Sequence, residues 1–552
     1  MNKIFLLFLS LTGSFFYSQN YSGGAGTVGN PYRMATLEDL RYLSEHSSDW
    51  GDKYFLQTSD INATTSSTWN NTQGFNPIGN TSSSFSGTYD GGGYNITGLV
   101  VNRSAIMYGG MFGIVSTFGT LKNINLVGGS FYADMYVGSL AGETSGTVTN
   151  CSSSASVKAQ KDAGGLIGVI KRGITNSHAT GTVTSGYTSS AGGLAASAGG
   201  GMVSNCYATG QVNGGIAGGL IGGASSEIMS SYATGAVMGG STVGGLVGIT
   251  SKLVSNSYAT GNVSGGTVGG LIGWTTSSVT KSHATGNVNA STFGSNSAGG
   301  LIAIIGHGTA ASSFSSISLS FSTGTITGGS SVGGLVGFGI DRQKISIINC
   351  YSRSNTPQGS AGLVGYFEES GAFISTSYAA GQLGGNNPGG LIGYGLNVTF
   401  SKAYWDRQTT GTLIADASGW NTTDGGRTTL EMKNQNTFVN WDFSNIWSID
   451  PLINDGYPYL KENSGHLATK ESAKKDDFQI KIYPTIVKDI VYISSDFTVL
   501  KYSVLDLQGR LLKQGTSGSK DFSIDLTSLA QGAYLINLTH EKGATSKKII
   551  KK

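Results

Sequence analysis

The six histidines, His46, His178, His283, His307, His466 and His540, are the first residues to weigh for metal or acid–base chemistry. None belongs to an HExxH pair that could hold zinc. His178 and His283 occupy, in NSHATG and KSHATG, the slot held by Tyr207, Tyr232 and Tyr258 in sister blocks. At about 4.8 Å per repeat they lie roughly 19 Å apart, too far to share an ion, and read as rings standing in for tyrosine. Acid-catalysed glycan cleavage needs clustered carboxylates with Arg or Lys beside them. Glu368 and Glu369 are adjacent and point to opposite faces of a strand, and Asp406 stands alone beside Trp405. Between Gly173 and Ile340 the only charges are Glu227, Lys252 and Lys281. Such chemistry is left to Asp60, Asp90 and Asp134 near the start, or to Asp341 to Lys344, and Asp90 before three glycines reads as a tight turn. No catalytic, cofactor or metal residue is assigned. Thr180, Thr209, Thr234, Thr260, Thr285 and Thr323 share one phase and would form a rank of hydroxyls, as a water-ordering face requires, but only Thr182 and Thr325 begin a second rank.

These residues are positioned by a repeat. GGL or a near copy recurs at Gly164, Gly192, Gly218, Gly244, Gly269, Gly299 and Gly333, then AGL at Ala361 and GGL at Gly389, mostly about 25 to 30 residues apart. Between copies runs the second block, as NSHATG, NCYATG, SSYATG, NSYATG and KSHATG, with fainter copies reaching back to VGSLAG at Val137 and YGGMFG at Tyr108. Two short segments in fixed phase, bounded by Gly, Ser and Asn, are strands of one repeated unit. One unit alone cannot bury its apolar face; stacked units can, with like residues in ladders. The expected fold is an all-β parallel β-helix of eleven coils, on the order of 50 Å long. Gly in the GGL turn permits positive φ and close approach of coils, and pairs such as Leu220 and Ile221 fill the core. Cys151, Cys206 and Cys350 fall in the slot of Ser177, Ser231, Ser257 and Ser282, so they read as small buried thiols.

Composition excludes several classes. With 87 Gly, 7 Pro and 12% charged residues in 552, the chain is neither a disordered polyelectrolyte nor collagen-like. A net charge of +3 and nearly uncharged repeats supply no basic stripe, so no nucleic-acid partner is expected. MNKIFLLFLSLTGSFFYSQN reads as a secretory signal over residues 1–18, cleaved in the region of Ser18 and Gln19, and no later stretch is apolar long enough for a transmembrane helix.

The ends differ from the middle. MATLEDLRYLSEH offers Thr36 as N-cap, Asp39 three residues on, and Leu37, Leu40 and Leu43 on one face, a short helix able to lid the core. Trp50 and Trp69 follow it. Trp405, Trp420, Trp441 and Trp447 crowd the far end, where strand edges need covering.

The Gly-Gly-Leu-Ile/Val-Gly block resembles the GLUG motif. NPYRMATLEDL, KYFLQTSDI, FNPIGN and FSGTYDGGGYNITGL resemble the leader of such arrays in bacterial surface proteins, and the likeness runs from about Asn30 to Leu460. GLUG-type arrays occur in adhesins and as appendages of IgA-cleaving metallopeptidases, so the resemblance implies architecture more than activity. After the polar stretch ENSGHLATKESAKKDD, short alternating strands from Phe478 read as a small Ig-like β-sandwich. It resembles the type A sorting domain of type IX secretion substrates: IYPTIVKD with Tyr483 and Pro484, LDLQGRLL with Asp506, Gly509 and Arg510, IDLTSLAQGAYLINL with Leu529, Gly532 and Tyr534, and KKIIKK with Lys547, Lys551 and Lys552. Thr485-Ile486 replaces the usual Asn-Pro.

The expected organisation is signal 1–18, N-terminal cap and first coils 19–107, repeat solenoid 108–418, C-terminal cap 419–465, linker 466–477 and sorting domain 478–552. The resemblance implies partnership with the type IX machinery, and a mature part attached at the outer surface or released. The functional expectation is an adhesin or surface scaffold for a glycan or a cell-surface ligand, without enzymatic activity or cofactor. The alternative is a carbohydrate-active β-helix enzyme, a polysaccharide lyase or glycosidase.

Overall fold

The computed structural model describes residues 21–291, 296–306, 315–340, 345–357, 361–368, 372–463, 480–483, 486–506, 510–540 and 543–552. The signal expected over 1–18, with Ser18 and Gln19, lies outside them, as do His307, His466, Asp341 to Lys344, Glu369, Pro484 and Gly509. The chain forms two compact units, 1–468 and 469–552.

The first unit is a parallel β-solenoid of about 13 turns with five short strands per full coil. In one coil these are Val247–Thr250 (face 1), Val254–Ser255 (face 2), Tyr258–Ala259 (face 3), Val263–Gly265 (face 4) and Thr267–Gly269 (face 5). Each pairs in parallel with its counterparts one coil away. Faces 2 and 3 hold 14 strands each, face 1 has 11, and faces 4 and 5 have 9. The stack exceeds the eleven coils expected because Tyr32–Met34, Tyr54–Gln57 and Thr88–Asp90 join face 2 without carrying a GGL block. At about 4.8 Å per coil the solenoid rises on the order of 60 Å.

The repeat explains itself in packing. Leu194, Leu220, Leu246, Leu271, Leu301 and Leu335 are fully buried along the axis, flanked by Ile221, Val247, Ile272 and Ile302. Each such side chain stabilises by roughly 1.5–3 kcal/mol. The GGL glycines are needed for approach, but the expected positive φ is absent: a Cβ at Gly218 would strike the Ile221 carbonyl oxygen, and one at Gly219 the Gly245 carbonyl oxygen. Left-handed backbone sits instead at the face 2 to face 3 corner, at Asn123, Asn150, Asn176, Asn205, Ser230, Asn256, Lys281, Leu319, Asn349, Thr376 and Lys402. Asn tolerates that region best after Gly, which accounts for the first letter of the NSYATG block.

The next slot is the Ser/Cys row. Ser231 Oγ accepts from the Cys206 amide at 3.2 Å and donates to the Met229 carbonyl at 2.8 Å. Ser257 and Ser282 repeat the pattern. Cys151, Cys206 and Cys350 are buried and free, and burial raises their thiols to about 12, 11 and 12.

At the N-terminal end the helix Leu37–Glu45 forms with Thr36 and Asp39 in a capping box, and buries Leu40 and Leu43. Asp39 accepts from Ser22, Ala35 and Thr36. Trp50 is buried, its Nε1 donating to the Leu43 carbonyl at 2.7 Å. At the other end Trp405 closes the core and Trp441 and Trp447 are buried, but Trp420 is 69% exposed and takes no part in the aromatic cap. The cap also lies against a side of the solenoid: Phe438, Trp441, Trp447 and Tyr457 pack over Phe321, Tyr351, Tyr378 and Tyr404 on face 3.

The second unit is an antiparallel sheet, Ile480–Tyr483, Ile490–Asp506, Leu511–Asp525, Gly532–His540 and Gly543–Lys551, with Ile486–Val487 added in parallel. The long strand Ile490–Asp506 shifts register between Ser494 and Val499, and both of its halves line one core with Val491, Ile493, Ile524, Ile536 and Leu538.

Candidate functional site

On face 3 one outward position carries His178, Tyr207, Tyr232, Tyr258, His283, Phe321, Tyr351 and Tyr378 in successive coils. Neighbouring rings stand 4.3–5.1 Å apart with planes within 8°. The rise of one coil matches the thickness of a ring stack, so each ring covers its neighbours' faces and turns its edge outward. From His178 to Tyr258 the rings are half-exposed, while His283, Phe321, Tyr351 and Tyr378 are buried.

Two residues before each open ring lies the corner residue, Asn176, Asn205, Ser230 or Asn256, and two residues after it Thr180, Thr209, Thr234 or Thr260. All eight are exposed. The open stretch therefore presents three parallel rows: amide or hydroxyl, ring edge with phenol oxygen, and threonine hydroxyl. Thr285 and Thr323 continue the last row half-buried. The second rank begun by Thr182 and Thr325 is filled instead by Gln211, Ala236, Asn262 and Asn287. There Asn262 Oδ1 accepts from the Asn287 amide at 3.0 Å, and Asn287 Oδ1 from the Thr325 amide at 2.9 Å. Burial lowers the pKa of His178. Lys281, at the boundary with the covered stretch, bonds Glu462 at 2.9 Å. The identity of the ring row was legible in the block letters; its division into open and covered halves was not, because the covering segment carries no repeat.

The candidate acids serve the backbone. Asp60 accepts from the Asn95 amide at 2.8 Å. Asp90 accepts from the Gly92 amide and Asn123, and pairs with Lys122 at 3.1 Å. Burial raises its pKa, but these hydrogen bonds and the lysine outweigh it, and the net shift is downward. Asp406 is buried, caps the short helix Arg407–Thr410 through the Gln408 and Thr409 amides, and accepts from Tyr457 Oη at 2.6 Å. Burial opposes its ionised form, yet the bonds from Tyr457, Thr429 and Thr409 lower its pKa. The Asp134 amide joins the ladder at Ile106, Glu368 is exposed, and His46 Nδ1 lies 2.8 Å from the Tyr42 carbonyl. Among the described residues no three His, Cys, Asp or Glu side chains group as metal ligands.

In the second unit Arg510 bonds Asp506, amide to Oδ1 at 2.9 Å and Nε to Oδ2 at 2.6 Å. Tyr534 Oη donates to the Ala530 carbonyl at 2.7 Å, and Leu529 packs on the core. The buried Lys551 ammonium donates to the carbonyls of Leu526, Thr527 and Leu529. Tyr483 and Gly532 lie in strands, Lys547 and Lys552 are exposed, and the Lys552 amide donates to Val487. The motif residues Asp506, Arg510, Leu529, Tyr534 and Lys551 thus fasten turns and the last strand.

Comparison with known proteins agrees with both units. Residues 187–213 and 264–289 match the GLUG motif, and residues 481–552 match the secretion system C-terminal sorting domain. Halomucin of Haloquadratum walsbyi is 35% identical over 149 residues, 27% of this chain and 2% of that protein. A "Putative Gly-rich membrane protein" of Evansella cellulosilytica is 31% identical over 138 residues, 24% of this chain and 16% of that one. The chain thus spans a small part of the length of either relative. A solved structure named "putative immunoglobulin A1 protease", from Bacteroides ovatus, aligns over 80% of this chain and 95% of its own, at 17% identity and a TM-score of 0.22. No helix among the described residues is long and apolar enough to cross a membrane. The sorting domain implies engagement with the type IX secretion machinery and supports export to the cell surface. The chain thus carries GLUG motifs within its β-solenoid and a secretion system C-terminal sorting domain over residues 481–552.

Proposed function

We propose that this protein is an adhesin-like surface scaffold whose solenoid binds glycan or protein ligands along its outward rows and does not cleave them. The observation that carries the reading is the open stretch of face 3, where exposed amide and hydroxyl groups flank a half-exposed ring row of one imidazole and three phenols in register over four coils, nearly free of charge. From Tyr207 to Tyr258 both ring faces are occupied by other rings, so a ligand meets edges and hydroxyls, and shallow contacts add up through repetition. Asp60, Asp90 and Asp406 are committed to amides, a lysine and a phenol, which favours binding over glycan hydrolysis. Removal of a leader during export, and attachment or release of the mature part, complete the proposal.

The test is glycan-array and whole-cell binding by the purified full chain, with release of reducing ends followed in the same samples. Saturable binding without new reducing ends is the expected outcome. Sugar release that persists through repurification overturns it.

A further inference from the structure

Near the N-terminal end a cavity of about 590 Å³ opens between the end of the helix Leu37–Glu45, the segment after Phe75 and the corner after Arg103. Its wall includes Glu45, Trp50, Asn76, Asn80, Arg103 and Tyr108. The size is that of a small-ligand site, and the mixture of two aromatic rings, side-chain amides, one acid and one cation suits a polar, hydroxyl-rich ligand.

The wall joins ladder positions, Arg103 on face 4 and Tyr108 on face 5, to residues that lie outside the repeat. Ile78 and Phe85 bridge in parallel to Phe112 and Val115 on face 1, and the segment from Asn80 to Ser84 is inserted between these two bridges; it turns on Gly79, whose φ of 82° and contact with the Ile114 carbonyl leave no room for a side chain. Asn80 Oδ1 accepts from the Ser82 and Ser83 amides at 2.9 and 3.0 Å, which leaves its amino group to donate. Among the described residues no hydrogen bond engages the Asn76 side chain.

Arg103 is the residue that sets the ligand class. Its Nε donates to the Phe75 carbonyl at 2.9 Å, and its two terminal nitrogens to Gly74 and Gln73 at 3.3 Å. All three acceptors are neutral. Lys122 and Lys171 in nearby coils pair with Asp90 and Glu143, whereas Arg103 has no carboxylate partner among the described residues. Three backbone and side-chain bonds hold the guanidinium rigidly, which preorganises it for a planar anion. Glu45 is held by Arg41 at 3.1 Å and remains an acceptor for hydroxyls.

We propose that this cavity binds a carboxylate-bearing saccharide, with Arg103 taking the carboxylate and Asn76, Asn80 and Glu45 the ring hydroxyls. The proposal rests on the glycan-binding reading above and names its charged subsite.

The experiment uses the full chain and two probes: an oligogalacturonate and the same oligosaccharide with its carboxylates reduced to alcohols. Uronate binding is expected to be saturable and at least about tenfold tighter than binding of the reduced probe, the scale of one charge-assisted bond. Arg103→Gln removes that preference. Because Arg103 also bonds backbone, Asn76→Ala serves as the second variant; it weakens uronate binding several-fold at an unchanged melting temperature. Equal affinity for both probes, or uronate affinity unchanged in both variants, overturns the proposal. If neutral glycans bind elsewhere on the array and uronates do not, the subsite falls and the glycan reading stands. If no glycan binds, both fall.

Discussion

The two halves of the face 3 ring row share register and stacking distance, yet live in different surroundings. From His178 to Tyr258 the rings meet solvent; from Phe321 to Tyr378 they lie under Trp441, Trp447 and Tyr457. Covering changes what each position must satisfy. Tyr378 Oη donates to the Pro458 carbonyl at 2.6 Å and accepts from Asn454 at 2.9 Å. Phe321 has no hydroxyl to satisfy, and the Tyr351 hydroxyl is buried without a hydrogen-bond partner among the described residues. The corner differs too: in the open half it is Asn176, Asn205, Ser230 and Asn256, in the covered half Lys281, Leu319, Asn349, Thr376 and Lys402. The open half therefore rests on stacking and solvent, and the covered half adds the apolar contacts of the cap.

The comparison can be broken most forcefully at the cap. Trp447→Ala removes a fully buried side chain and should cost about 3–5 kcal/mol, seen as an early cap transition in tryptophan-monitored denaturation. Tyr232→Ala in the open half should cost only about 1 kcal/mol, mostly lost stacking, and leave that transition in place. Equal costs would mean that the cap contributes nothing beyond the row.

Acid should separate the halves. His178 has a lowered folded pKa, so its contribution is present above its unfolded value near 6.5 and fades as pH falls through the folded one. Asp406 is likewise lowered, from 3.8, so its contribution is present above that value and lost at still lower pH. A pH series of melts should show the open half loosening below about pH 6.5 and the cap only below about pH 4. His178→Tyr should abolish the first step.

Smaller effects sharpen the picture. Lys402→Asn should stabilise by about 1 kcal/mol, since the residue has a φ of 55° and an exposed side chain. Asn205→Lys in the open half should cost a similar amount. Cys350→Ser should change stability by less than about 1 kcal/mol, because Ser377 and Ser320 already fill that slot one coil to either side. Native protein should resist thiol reagents at neutral pH, as thiols raised to about 11 or 12 remain protonated.

Much of this was legible in the letters, for a physical reason. A solenoid copies one local solution, so Leu220, Ser231 and Tyr232 announce their slots by recurring, and Thr36 with Asp39 announces a cap by local chemistry. What failed to show was non-repeating or conformational. Strands such as Tyr54–Gln57 join the stack without its signature, the GGL glycines act through close approach and not φ, and Trp420 resembles the cap tryptophans in position only. The cavity beside Arg103 depends on Gly79 and on an irregular segment, where no periodicity carries information.

The most direct test of the open-row account is hydroxyl-radical footprinting of the full chain, free and bound to the surface or polysaccharide it retains. In the free chain Tyr207, Tyr232 and Tyr258 should be modified far faster than Tyr351 and Tyr378, and binding should protect the first three. Uniform modification of all five, or binding that leaves Tyr207 to Tyr258 as reactive as before, would contradict the account.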